Sequence, residues 1–290
     1  MLLAMHAAAG ASAAAALEPT TPPRANCLDY MAPQAAQHGL YDWRDTLGIE
    51  HCDRIKRLWD IASFNAYGAP PQFFDGYISA RDLPADIQVD MPLLRVVFPE
   101  RVFFDTARAE LRPEAWEVVR VVARNLQLEP PDVVLFVAGH TDHRGARDYN
   151  QGLSIDRANA VADAILSLGV NVAKVWRVGF GEDMPLQAGD DERAWGQNRR
   201  VEFLFAARAE AVAQWLSDAQ IDMLCQGRTA AEANECVRRL DLRTDYVAIQ
   251  TNQRVLNVDA EQGGVRLYLQ GTERITINPV NRRASAVERD

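Results

Sequence analysis

Residues 139–150 read GHTDHRGARDYN and follow directly on the apolar run VVLFVA at 133–138. Two histidines, two aspartates and two arginines at the end of a buried strand could hold a metal, carry out acid–base chemistry or clasp a charged ligand. A metal site would draw on His140, Asp142 and His143. Two imidazoles three residues apart share a face on a helix, whereas in extended chain they point to opposite faces. Here they follow a strand and flank Gly145, and the sequence has no H-E-x-x-H. The ligand count is too low for a structural or catalytic ion, so neither a metal nor another cofactor is expected.

Catalysis fares little better. There is no G-x-S-x-G, and Ser154 has no base at a fixed spacing. Asp142, Asp148 and Asp156 could pair as acid and base, but Arg144, Arg147 and Arg157 are interleaved with them. Neighbouring cations hold carboxylates ionised, which suits binding and undercuts a general acid. The chain is therefore expected not to be an enzyme. Asp142 at the strand end and Arg157, fifteen positions later in the next helix, offer one carboxylate and one guanidinium at the mouth of a sheet. That pair complements a zwitterion, the carboxylate accepting from an ammonium and the guanidinium gripping a carboxylate. The same spacing fits an Asp142–Arg157 salt bridge with no ligand, and the residues alone do not choose.

The elements that must position these groups follow from periodicity. LLRVVFPERVFF reads as a strand bent at Pro99; Pro113 opens a helix with Trp116, Val119, Ala123 and Leu126 on one face. VVLFVA is apolar throughout, as in a strand covered on both faces. A second helix carries Ala158, Val161, Ala162, Ile165 and Leu168 and stops at Gly169; KVWRVGFGE and VEFLFA are further strands around a short polar helix. The order β-α-β-α-β-(α)-β predicts an α/β (α+β) unit over 91–207 with helices packed on a sheet.

Residues 27–90 read as a helical region and an extended, Pro- and Gly-rich connector; residues 208–290 read as a small α+β appendage without chemistry. Residues 1–17 are uncharged and end in small residues, so 1–26 reads as an export signal and linker, although no Lys or Arg precedes Arg24. In an exported chain, the sequence-local cysteines predict disulfides Cys27–Cys52 and Cys225–Cys236. A net charge of −9 without a basic stripe argues against nucleic acid, and no later stretch is long and apolar enough to span a membrane.

GHTDHRGARDYNQGLSIDRANAVADAIL resembles the central signature of OmpA-like peptidoglycan-binding domains, G-H-T-D-x-x-G followed by Y-N-x-x-L-S-x-x-R-A. VFFDTARAELRP, VGFGEDMP and NRRVEFLF flank it in the family's order over 98–206. The resemblance implies the OmpA-like sandwich and a non-catalytic site for meso-diaminopimelate of the peptidoglycan stem peptide. It places the family's aspartate on Asp142 and its arginine on Arg157. Backbone contacts fall on Phe104, Asp105, Thr106 and Ala107, a lining position on Leu153, and the closing N-R-R on Arg199 and Arg200, with Arg200 taken as the ligand residue. QAGDDERAWGQNRR departs from the family's spacing at that rim, and His140, Tyr149 and Asn150 are expected to hold the loop by hydrogen bonds. The function implied is a periplasmic peptidoglycan-binding protein that tethers another cell-envelope protein to the wall, associated with the outer membrane through its partners. The alternative is a secretion- or motility-machine subunit whose OmpA-like domain mainly docks proteins.

Overall fold

The computed structural model describes residues 18–19, 43–59, 61, 70–171, 173–225, 232, 235–236, 245–251, 254–258, 265–269, 272–280, 282–285 and 287–289. Residues 1–17, the uncharged part of the expected export segment, and Cys27 lie outside them. The strands are β1 (Glu18–Pro19), β2 (Gln72–Ile78), β3 (Met91–Pro99), β4 (Val134–His140), β5 (Lys174–Gly181), β6 (Arg200–Ala206) and β7 (Tyr246–Thr251). They continue with β8 (Arg254–Val258), β9 (Val265–Leu269), β10 (Thr272–Asn278), β11 (Arg283–Ala284) and β12 (Glu288–Arg289). The helices are α1 (Trp43–Leu58), α2 (Ala115–Gln127), α3 (Arg147–Ser167), α4 (Glu192–Asn198) and α5 (Ala209–Cys225).

One sheet runs β1-β2-β3-β6-β4-β5-β7-β10-β11, with β12 also on β10, and β8–β9 form a separate pair. β4 and β5 are parallel, as the intervening helix α3 requires. Both faces are covered. α1, α2 and α3 bury Ile55, Val119 and Val161 against one face of the sheet, and α5 buries Val212 and Trp215 against the other. Double coverage is the reason that all seven residues of β4 are buried and its sequence is apolar without alternation.

Two expectations change. The stretch read as a connector contains β2, paired with β3 from Gln72↔Val97 to Ile78↔Met91. Gly and Pro on either side hide a strand whose identity comes from its partner. The sheet also continues past 207, because β7 pairs with β5 at Trp176↔Gln250 and α5 packs into the same core. The 91–207 unit thus shares its sheet with flanking segments. Cys225 and Cys236 are bridged at a Cα separation of 6.0 Å. Cys52 is also disulfide-bonded, with its expected partner Cys27 outside the described residues.

Register sets the site. Arg200 lies opposite both Pro99 and His140, and His140 lies opposite Gly181. The carboxyl ends of β3, β4 and β5 and the amino end of β6 therefore share one edge, where an α/β sheet opens to ligands. Glu100, Asp142, Glu182 and Arg199 follow or precede these ends by one or two residues.

Candidate binding site at the carboxyl edge of the sheet

Helix α3 can approach that edge because two glycines lie beneath it. A Cβ on Gly139 would stand 2.1 Å from the Ser154 carbonyl oxygen, and one on Gly179 would stand 2.5 Å from Ser154 Oγ. The close approach brings Arg157, in the third turn of α3, over the edge. Between β4 and α3 the chain turns through Gly145 at φ +108, a conformation that favours glycine. Asn150 fastens the turn, donating to the carbonyls of Asp142 (3.2 Å) and Arg144 (3.3 Å) and to Glu182 Oε2 (2.5 Å).

Asp142 and Arg157 do not pair with each other. Asp142 accepts from Nε and Nη2 of Arg144, from the Arg144 main-chain N–H at 3.0 Å, and from Arg199 Nη1 at 2.7 Å. Burial pushes its carboxyl up, but the hydrogen bonds from Arg144 and Arg199 outweigh burial and hold it below the ordinary carboxylate range. Arg157 is 1 % exposed. It pairs with Glu100, donates Nε to the Arg108 carbonyl at 2.9 Å and lies 5.3 Å from the Phe104 ring centre. Its Nη1 has no hydrogen-bond partner among the described residues. Burial raises the Glu100 carboxyl, partly offset by the charges of Arg157 and Arg199. Arg199 bridges the two halves, with Nε at 2.9 Å from Glu100 and Nη1 on Asp142.

Residues 104–107 lie beside Arg157 in the structure. Arg157 holds this loop at the Arg108 carbonyl, Ala107 adopts φ +57, and Asp105 pairs with Arg112 at 2.7 Å. Thr106 is exposed, Phe104 is buried, and Leu153 is half-buried one turn before Arg157 on the same helix face. Arg200 is elsewhere. Its guanidinium lies in the core on the α5 side, bonded to Glu202 Oε1 (2.6 Å) and to the carbonyls of Asn198 (3.2 Å) and Met184 (2.9 Å). Glu202 also takes a two-pronged bond from Arg95 at 2.7 and 2.9 Å. Strand parity explains the correction: Arg200 shares a face with Glu202, and Arg199 falls to the Arg157 side.

The histidines separate. His140 is fully buried against Phe180 with neither ring nitrogen hydrogen-bonded among the described residues, so it supports the loop by packing rather than by the hydrogen bonds expected of it. His143 is at the surface, 2.8 Å from Asp190. Tyr149 is half exposed. Reading the residues alone did not single out Glu100, a charge next to a strand end that nothing local marks as a neighbour of Arg157, and it took Arg144 only as one of the cations interleaved with the aspartates.

Residues 103–199 match the OmpA family. The chain is 37 % identical over 136 residues to the peptidoglycan-associated lipoprotein of Pseudomonas aeruginosa, covering 47 % of this chain and 73 % of that protein. The chain belongs to the OmpA family. The peptidoglycan-associated lipoprotein of Pseudomonas putida is 41 % identical over 100 residues; the match covers 34 % of this chain and 59 % of that relative. The crystal structure of the peptidoglycan-associated lipoprotein from Burkholderia pseudomallei is also similar, at 30 % identity over 36 % of this chain and 86 % of that chain, with a TM-score of 0.33. The OmpA-family segment thus covers α2 to α4 and includes Asp142, Arg157 and Arg199.

Proposed function

We propose that the chain binds peptidoglycan without catalysis and tethers a partner to the cell wall from the periplasm. Asp142 receives the ammonium of meso-diaminopimelate and Arg157 grips its carboxylate; Leu153 and the 104–107 loop line the ligand. The observation that carries this reading is the edge itself: a carboxylate and a guanidinium brought together by β4 and α3, unpaired with one another, with Arg157 Nη1 unpartnered. Membership of a family whose similar proteins are named peptidoglycan-associated lipoproteins supports it. No helix among the described residues is long and apolar enough to cross a membrane.

A sacculus pull-down with and without free meso-diaminopimelate tests the reading. Binding is expected to be competed by the free diamino acid and lost in Asp142→Asn. Sacculus binding that ignores both would overturn the clasp, and release of soluble muropeptides would overturn the non-catalytic assignment.

A further inference from the structure

The cleft is already neutralised from within. Asp142 accepts from two guanidinium groups, those of Arg144 and Arg199, and its side chain is only 6 % exposed beneath them. A ligand ammonium seated on Asp142, as proposed above, needs the same two oxygens, so one guanidinium must leave. Arg199 is tied at three points: Asp142 (2.7 Å), Glu100 (2.9 Å) and Glu192 (3.0 Å). Its main chain is bonded as well, donating to the Trp195 carbonyl (2.9 Å) and accepting from the Glu100 N–H (3.0 Å). Arg144 is held far less. Its side chain touches Asp142 and the face of Trp195 at 4.2 Å, and it remains 46 % exposed on the turn beside Gly145.

We propose that Arg144 is a built-in surrogate for the ligand's ammonium and the residue that sets the site's demand for a cation. While its guanidinium covers Asp142, a ligand without positive charge gains nothing there, because displacing Arg144 would leave a shielded carboxylate with one of its two guanidinium partners, Arg199. A ligand ammonium restores the charge balance as Arg144 withdraws. The stack on Trp195 gives the displaced guanidinium a resting place, where cation–π attraction retains part of the lost energy. Substitution leaves the turn intact, since the 3.0 Å bond to Asp142 Oδ1 comes from the Arg144 main chain and Asn150 holds the neighbouring carbonyls.

The inference rests on the proposed clasp, and the test separates the two. The affinity of free meso-diaminopimelate is measured by calorimetry for the wild type, Arg144→Ala and Asp142→Asn, with pimelate as the amine-free control. Arg144→Ala is expected to bind meso-diaminopimelate about 2–5-fold more tightly, the equivalent of one half-exposed ion pair no longer competing. In the wild type, the Arg144 Nε–H resonance should move on addition of meso-diaminopimelate towards its position in Asp142→Asn, and pimelate should not move it. Unchanged or weaker binding by Arg144→Ala would overturn the surrogate role, and if Asp142→Asn still loses binding the clasp survives. Wild-type affinity in Asp142→Asn would overturn both.

Discussion

Two adjacent arginines, Arg199 and Arg200, are expected to fail in opposite ways when replaced by alanine. Arg200 is 1 % exposed and donates to Glu202 and to two main-chain carbonyls. Removing it leaves a fully buried carboxylate with Arg95 as its remaining arginine partner. Breaking a buried ion pair from one side costs about 3–5 kcal/mol. At roughly 2–4 °C per kcal/mol for a domain of 150–250 residues, the melting temperature of Arg200→Ala should fall by roughly 6–20 °C. Arg199 is 20 % exposed, and each of its ion pairs is worth about 1 kcal/mol or less. Its removal should shift the melt by only a few degrees. It does, however, release Glu100 and Asp142, the two carboxylates that it holds together, to repel each other across the cleft. Arg199→Ala should therefore lose sacculus binding about tenfold while folded, on the scale of one charge-assisted hydrogen bond. Thermal melts and sacculus pull-downs on the same preparations decide the matter. An Arg200→Ala protein that melts like wild type yet fails to bind would refute the assignment.

Three further outcomes follow from the packing. His51 and His140 are buried, and burial holds both imidazoles below their ordinary value of 6.5, His140 well below. Because the folded-state values lie under the unfolded ones, the stability these groups confer is full above about pH 6.5 and is lost as pH falls towards the folded values. Melting temperatures should drop between pH 7 and pH 5, and less so in His140→Gln; identical profiles for the two proteins would sink this account. Gly139→Ala drives a methyl into the Ser154 carbonyl at 2.1 Å. It should prevent α3 from seating on β4, which circular dichroism and melts of the purified variant would reveal as lost or lowered cooperativity. Replacing Cys225 and Cys236 by serine opens a bond of 11-residue separation and should cost about 2–3 kcal/mol through freedom regained by the unfolded chain, read from denaturant midpoints of variant and wild type without reductant.

Much of this protein is legible in local pattern. Period 3.6 in Ala158, Val161, Ala162 and Ile165 marks α3, and the uninterrupted VVLFVA marks a strand covered on both sides, because burial acts on each residue where it stands. The types at 139–157 likewise announce a charged edge, with Asp142 and Arg157 as the candidate poles. Even the difference between Arg199 and Arg200 was present as parity in RVEFLFA, where Glu202 and Arg200 alternate with Val201 and Phe203. What no local pattern contains is pairing across the sheet. β2 is a strand because β3 offers it hydrogen bonds, and Glu100 meets Arg157, 57 residues away, because register puts Pro99, Arg200 and His140 in one row. Residue types limit the chemistry open to the edge, because an ionised side chain carries its charge wherever the fold puts it. Which charges neutralise which depends on distances of a few ångströms between distant segments, and only the folded sheet sets those.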